Sequence, residues 1–390
     1  MARTVSIFGS TGSIGCNTVN LIESAAEDYD VVALTGGRNI AKLARQARKL
    51  GADIAVTAHE ECYGDLKEAL SGSDIKVAAG QTAICEAAAR PADWTMSAIV
   101  GSAGLPPGLE TLKRGGTLAL ANKESLVTAG PLLMATAKAS GARVLPVDSE
   151  HSAVFQALVG EDIGTVERII ITASGGAFRD WPAERLKTAT LAEASSHPNW
   201  DMGQRITIDS ASLFNKALEL IETNEYFGVR PNQIEALIHP ESLVHALVGF
   251  NDGALMAHLG PPDMRHAIGF ALNWPVRKAL PVERLDLAAV ASLTFRAPDE
   301  ARYPALRLAR EVMEAGGLAG AVFNAAKETA LDGFISGAIG FLEMAAVVEE
   351  VLAKRPRDGH MNAEITLDTI LEADHMSRRH AMDIIKQRQA

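Results

Sequence analysis

The feature that most constrains this chain is how it opens. A short apolar run, Val5-Ser6-Ile7-Phe8, leads directly into Gly9-Ser10-Thr11-Gly12-Ser13-Ile14-Gly15, and an amphipathic stretch over 14–26 follows at once. Strand, glycine loop and helix in that order form the unit on which a parallel sheet binds a dinucleotide. The glycines allow a tight turn, and the helix start offers backbone N–H groups to a pyrophosphate. The spacing is GxxGxxG instead of the commoner GxGxxG, and a plain strand-to-helix turn gives the same pattern. Further β-like runs at 31–34, 54–56, 75–78, 95–100, 117–120 and 143–146 alternate with helical segments such as 40–50. That alternation predicts a mostly parallel, doubly wound α/β sheet over residues 1–147.

The second strand narrows the ligand. Sites that prefer NAD carry an acidic residue near its end, which accepts from the ribose hydroxyls. Here it ends Leu34-Thr35-Gly36-Gly37-Arg38-Asn39, with no carboxylate and with a guanidinium where a 2′-phosphate would lie. NADPH is the expected cofactor; a solvated surface arginine is the alternative reading of Arg38.

Beyond this domain the pattern changes. Longer strands at 166–173, 236–238, 242–250 and 254–258, and a Pro/Trp/Asn-rich region at about 181–203, predict an α+β domain over 148–274 with a mobile loop. Residues 275–301 read as a linker packed on the surface. Residues 302–390 read as a bundle of four short helices, broken at Gly316-Gly317, Gly333 and 354–362. With 390 residues, 47% of them hydrophobic, the chain has material for several cores and is not a disordered sequence. Lys plus Arg is 37 against 48 for Asp plus Glu, a net charge of −11, which argues against nucleic acid or an anionic membrane as partner. An anionic ligand would need cations gathered locally. Cys16, Cys62 and Cys85 form no CxxC pair, and no run of 18 uncharged apolar residues occurs, so a soluble cytoplasmic protein with reduced thiols is expected.

Five segments carry candidate chemistry. In Asp148-Ser149-Glu150-His151, read as extended, positions i and i+2 present two carboxylates on one side. Like charges there repel unless a cation joins them, and hard oxygen donors favour Mg²⁺ or Mn²⁺ over Zn²⁺; a surface acidic pair is the plainer reading. The segment 207–222 reads as one helix with a capped start, on which Asn215, Lys216 and Glu219 share a face. An exposed polar face would look the same, but an amide, an ammonium and a carboxylate beside Ser210 also suit the junction of a metal and a phosphate site. Ser174-Gly175-Gly176 ends a strand with groups fitted to expose N–H donors, and His197, Trp200 and Met202 fall in the loop-like region. Lys123 and Glu124 follow the sixth strand, where ligands of open α/β sheets bind, although a bare helix start is an equal reading.

Together these segments resemble the 1-deoxy-D-xylulose 5-phosphate reductoisomerase family over essentially the whole chain. The motifs are GSTGSIG from Gly9, ANKE from Ala121, DSEHSA from Asp148, TASGG from Thr172, HPNWDMG from His197, DSAS-x-x-NK-x-x-E from Asp209 and LGPPDMR from Leu259. Departures are Ala177 where the family usually has proline, Glu241 and Ala246 where Gln and Ser are commoner, and Arg38 for lysine. The resemblance implies a Rossmann-like NADPH-binding domain (1–147), a central catalytic α+β domain (148–274) and a C-terminal α-helical domain (302–390). It implies NADPH contacts from Thr11, Gly12, Ser13, Ile14, Gly37, Arg38, Asn39, Asn122, Glu124 and Gly203. Asp148, Glu150 and Glu219 would hold one Mg²⁺, Mn²⁺ or Co²⁺, and would act in catalysis with Lys123. The sugar phosphate would meet Lys123, Ser149, Glu150, Ser174, His197, Ser210, Asn215, Lys216 and Glu219, under a lid bearing Trp200 and Met202. Homodimers are the implied assembly. The implied reaction converts 1-deoxy-D-xylulose 5-phosphate to 2-C-methyl-D-erythritol 4-phosphate for isoprenoid synthesis. Two competing classes are a simple NADP-linked dehydrogenase of the semialdehyde or homoserine type, which needs no divalent metal, and a non-catalytic NADPH-binding sensor, which needs neither the three carboxylates nor Lys123.

Overall fold

The computed structural model describes residues 2–200, 202–354 and 364–389. Asp201 of the HPNWDMG motif lies outside them, as does all of the expected 354–362 break except Lys354. The chain divides into two compact units: Met1–Ser125, Leu133–Ser152 and Asp263–Glu283 in the first, and Leu126–Leu132, Ala153–Pro262 and Arg284–Ala390 in the second.

In the first unit strands and helices alternate as β1 (Arg3–Phe8), α1 (Ser13–Glu23), β2 (Tyr29–Gly36), α2 (Ile40–Leu50), β3 (Ile54–Thr57), α3 (Tyr63–Ala69), β4 (Lys76–Ala79), α4 (Gln81–Ala88), β5 (Trp94–Ser97), α5 (Leu105–Lys113), β6 (Thr117–Leu120), α6 (Lys123–Ser140) and β7 (Arg143–Pro146). α7 (Ser149–Ala157) starts at its end, and the middle of α6 is counted with the second unit. The seven strands pair in parallel, in the order β4-β3-β2-β1-β5-β6-β7. Every residue of β3 and β5 is buried, as a parallel sheet covered on both faces requires. The order reverses between β1 and β5, and the loops leaving those two strands bound the crevice in which open sheets take their ligands. Gly9 stands there with φ +88°, and a Cβ on it would lie 2.4 Å from the Ala98 carbonyl oxygen, in the loop after β5. A Cβ on Gly15 would lie 2.2 Å from the Gly9 oxygen. The loop is therefore as tight as an all-glycine contact allows.

The second unit contains β8 (Val166–Ala173), α8 (Leu191–Ala194), α9 (Gln204–Ala211), α10 (Phe214–Phe227), β9 (Ile234–Ile238), β10 (Val244–Phe250) and β11 (Leu255–Leu259). Its mixed sheet runs β11-β10-β8-β9. α11 (Arg265–Asn273) then returns to the first unit, where it packs against α1 and the Ala271 carbonyl accepts from Trp94 Nε1 at 3.0 Å. The short α12 (Leu287–Val290) precedes α13 (Pro304–Ala315), α14 (Ala319–Ile335), α15 (Glu343–Ala353) and α16 (Leu367–Gln389). These last helices share one core with the mixed sheet, through Phe178, Phe214, Leu306, Phe323 and Val347.

The units therefore differ from a three-part division drawn in chain order, because α11 buries Ile268 and Leu272 with the first unit and the described residues of the terminal helices share the core of the mixed sheet. Local readings also change. The 148–150 segment is a helix start and not extended: the Ser152 N–H reaches back to the Asp148 carbonyl at 2.9 Å. The expected single helix over 207–222 is two, α9 and α10, because Leu213 between them takes a left-handed φ of 59°. Gly333 lies inside α14, closely packed by Ile339 and Ile385, and α16 is long, at 23 residues. The region 181–203 contains a 3₁₀ segment and α8, which Thr190 and Glu193 close with a reciprocal capping box. No described helix is long and apolar enough to cross a membrane.

Candidate functional site

In the first unit the glycine loop is fastened by side chains of α2. The Ser10 hydroxyl donates to Gln46 Oε1 at 2.9 Å, and Gln46 Nε2 returns a bond to the Ser10 carbonyl at 3.0 Å. Lys42 Nζ donates to the Thr11 carbonyl at 3.2 Å. α1 has Gly12 as its N-cap, with no side-chain cap and no acidic residue in its first turn. The N–H groups of Ser13, Ile14 and their neighbours therefore face outward from a positive helix end, which suits a pyrophosphate. Gly36 and Gly37 lead from β2 to Arg38, and Asn39 caps α2 by accepting from the Lys42 N–H at 3.2 Å. The Arg38 guanidinium is exposed and pairs with Glu61 at 2.8 Å. A bond from its own backbone N–H and the pairing with Arg38 hold the Glu61 carboxyl below the usual range.

The ANKE segment caps α6. Asn122 Oδ1 accepts from the Ser125 N–H at 3.0 Å, while its amide donates to the Gly101 carbonyl at 3.0 Å and to Glu124 Oε2 at 2.7 Å. Lys123 is buried and forms an ion pair with Asp148. Asp148 Oδ1 accepts from the Glu150 N–H at 3.2 Å, and the Ser149 hydroxyl donates to Glu150 Oε2 at 2.6 Å. Asp148 and Glu150 bring one carboxylate oxygen each within 4.8 Å of the other. The juxtaposition expected from an extended segment is thus produced by the start of α7, where the helix end favours negative charge. His151, fully buried with Nδ1 3.8 Å from Asp148 Oδ1, backs the pair.

In the second unit, Asn215 and Lys216 both reach Glu219 across one turn of α10, the amide at 2.6 Å and the ammonium in a buried ion pair. The Ser174 turn lies against Ser210: a Cβ on Gly176 would stand 2.5 Å from the Ser210 carbonyl. Arg179 Nη1 donates to the Ser174 carbonyl at 2.8 Å. His197 Nδ1 accepts two backbone N–H groups, from Asn199 at 3.1 Å and Trp200 at 2.9 Å, so the ring proton sits on Nε2. That proton is donated to Ser174 Oγ at 2.9 Å, and the Gly176 N–H reaches the same oxygen at 3.1 Å. With both lone pairs engaged, the Ser174 hydroxyl has only its proton to offer a ligand. Burial, helped by the Arg179 charge, pulls the His197 imidazole down to about 4, so it is neutral at pH 7. Trp200 is half-buried with its ring 6.4 Å from that of His245, and Asn199 Nδ2 ties the segment to Pro240 and Ser242 at 2.6 and 2.8 Å. Met202 is half-buried. Gly203 is the exposed N-cap of α9, in the second unit, whereas the other nucleotide candidates are in the first.

Gln46, Glu61 and Arg179 carry no sequence motif that marks them, and His151 lies in the DSEHSA motif with no role implied for it there. Glu61 is beside Arg38 because β3 pairs with β2 and the Ala58 N–H bonds the Gly36 carbonyl at 2.8 Å.

Three family models match the chain: 1-deoxy-D-xylulose 5-phosphate reductoisomerase over residues 5–130, its C-terminal domain over 144–227, and a DXP reductoisomerase C-terminal domain over 259–380. The 1-deoxy-D-xylulose 5-phosphate reductoisomerase of Ruegeria sp. (strain TM1040) is 67% identical over 387 residues, 99% of this chain and 98% of the relative. That of Cereibacter sphaeroides is 65% identical over 390 residues, 99% of each. Among solved structures, the Zymomonas mobilis enzyme in complex with NADPH superimposes with a TM-score of 0.92 at 43% identity, covering 99% of both chains. A DOX-P reductoisomerase in complex with NADPH, fosmidomycin and magnesium gives 0.93 at 36% identity, covering 98% of both.

Proposed function

The chain belongs to the 1-deoxy-D-xylulose 5-phosphate reductoisomerase family, and from that premise we infer which of its side chains carry the reaction. It is an NADPH- and divalent-metal-dependent enzyme that rearranges and reduces 1-deoxy-D-xylulose 5-phosphate to 2-C-methyl-D-erythritol 4-phosphate, a step of isoprenoid precursor synthesis.

Residues 1–147 take the NADPH, through Thr11, Gly12 and the Ser13 and Ile14 N–H groups, the 37–39 corner, Asn122 and Glu124, with Gly203 adding a contact from its loop. The loop fits a dinucleotide: it is held open by Gln46 and Lys42 and ends in an uncapped helix start. Asp148, Glu150 and Glu219 are the donor set for the metal. Three carboxylates and no thiol or imidazole suit Mg²⁺ or Mn²⁺. When bound, the metal supplies Lewis-acid polarisation of the substrate oxygens and NADPH supplies the hydride.

The remaining work falls to the protein. Ser174, Ser210, Asn215 and Lys216 bind the phosphate, with the Ser174 proton directed outward by His197 and Gly176. Lys123 Nζ, half-neutralised by Asp148, holds a proton where negative charge develops on the sugar. Ser149 and Glu150 orient the sugar hydroxyls. Trp200 and Met202 cover the substrate when the 181–203 region closes, so that phosphate binding energy is used to exclude water. A cytoplasmic homodimer completes the reading.

The observation that carries it is the occurrence in one chain of a glycine-loop crevice beside Arg38 with two acids, Asp148 and Glu219, that are each held by a lysine. The test is NADPH oxidation with 1-deoxy-D-xylulose 5-phosphate, with and without EDTA. Oxidation that needs the sugar and stops with the chelator is expected. Oxidation that persists in EDTA would point to a simple dehydrogenase, and none under any condition to a sensor.

A further inference from the structure

Behind Ser210 lies a charged contact that the reading above does not use. Asp209, on the last turn of α9, accepts from Lys327 Nζ at 2.9 Å, and both side chains are buried, at 9% and 3% exposure. Lys327 is on α14, 118 residues along the chain and in the helical C-terminal part. A buried ion pair contributes little net stability compared with apolar residues of the same size, because desolvation offsets the attraction. What it does impose is a direction: two charges in a dry interior can meet in few geometries.

That direction bears on the phosphate cradle. Asp209 is the residue before Ser210, and the Ser212 hydroxyl bonds back to the Ile208 and Asp209 carbonyls at 3.0 and 3.2 Å, closing the helix end around them. Fixing the Asp209 carboxylate on α14 therefore fixes the rotation of α9 about its axis, and with it the aim of Ser210. A second pair, Arg205 with Asp332, joins the same two helices one turn earlier on α9. α14 also supports the neighbouring helix, since the Phe323 ring packs 5.9 Å from Phe214, the first residue of α10, which carries Asn215 and Lys216. One helix thus braces both helix ends that supply the phosphate donors.

We propose that Lys327 is a positioning residue for the substrate phosphate, acting through Asp209 on the orientation of Ser210. The proposal rests on the assignment of Ser210 to the phosphate. Lys327 touches no substrate; it sets the helix end that does.

The test is a double-mutant cycle in the full-length enzyme with metal and NADPH present: parent, Lys327→Met, Ser210→Ala and the double variant. KM for the sugar phosphate, KM for NADPH and melting temperature are measured on each preparation. A small displacement of a binding group has large effects, so Lys327→Met should raise KM for the sugar phosphate by about tenfold and leave KM for NADPH unchanged. In the Ser210→Ala background it should add almost nothing, and Lys327→Arg should recover much of the loss. A brace that served stability alone would lower the melting temperature and leave these constants intact. If Lys327→Met does not fold with Asp209 opposite it, the charge-free pair Asp209→Asn/Lys327→Met takes its place in the cycle. A sugar-phosphate KM within about twofold of the parent, or the same factor with and without the Ser210 hydroxyl, would overturn the proposal. If Ser210→Ala alone is without effect, the phosphate assignment itself fails, and that arm shows it separately.

Discussion

Arg38, the residue proposed to meet the cofactor 2′-phosphate, is paired with Glu61 at 2.8 Å. Both groups are well exposed, so solvent screens the pair and it competes only weakly with a phosphate. A charge-assisted bond to a 2′-phosphate is worth roughly 1.5–3 kcal/mol, so Arg38 still favours NADPH by about ten- to a hundredfold. Arg38→Ala should remove that preference and leave NADH turnover nearly unchanged; kcat/KM for both cofactors, compared with the parent, decides it, and equal use of the two by the parent would defeat the assignment. Glu219 has the opposite situation, being buried against the Lys216 ammonium and the Asn215 amide. Glu219→Gln keeps the shape and removes the charge. Metal affinity and turnover should fall steeply, with partial recovery at high Mn²⁺ by mass action. Loss of the anion beside a buried ammonium should also lower the melting temperature without unfolding the enzyme at 25 °C. Metal titration followed by activity and calorimetry checks both parts, and full activity in EDTA would remove Glu219 from the donor set.

At the scale of elements, the sequence was most legible where one local rule suffices. Buried parallel strands are continuous apolar runs, so β1 to β7 lie where such runs occur. The face shared by Asn215, Lys216 and Glu219 follows from helical spacing alone. The 148–150 segment was misjudged because i, i+2 spacing of acids suits a strand and a helix start alike, although an Asp followed by a Glu in the first turn is itself a start signal. The break at Leu213 left no trace, since leucine rarely takes a positive φ and its side chain is buried for packing. Gln46 and Lys327 are beyond local reading altogether, their partners lying 36 and 118 residues away. α10 also has a liability at its far end. Glu225 is close to the helix C-terminus, which disfavours an acid, and burial pushes its carboxyl up to about 7 from 4.5. A folded value above the unfolded one means that the folded state holds its proton longer, so stability is intact below pH 4.5 and declines as pH rises towards 7. Glu225→Gln should therefore melt higher than the parent at pH 8 and about equally at pH 4. A parent that melts higher at pH 8 would contradict this.

Across the whole molecule, a net charge of −11 is compatible with an anionic substrate and an anionic cofactor if, as proposed, the cations that meet them are placed singly, as Lys123, Lys216 and Arg38, and not as a field. Closure of the 181–203 region is the motion to test. Trp200 is half-buried, so Trp200→Ala should not bring the 3–5 kcal/mol loss, on the order of a fully buried indole, that would impair everything together. Melting temperature and NADPH affinity should hold while turnover of the sugar phosphate falls; parallel loss of all three would make Trp200 a packing residue. The return of α11 to the first unit has a further consequence, for how the chain is made. All seven strands of the nucleotide sheet have been synthesised by residue 146, yet the helix that packs on α1 and accepts the Trp94 N–H ends at Asn273. The nascent sheet must wait through the synthesis of β8 to β11 with that flank uncovered. A release fragment ending near residue 152 is thus expected to be loosely packed and prone to association, and vectorial synthesis delays nucleotide binding until the interior of the second unit is already being laid down.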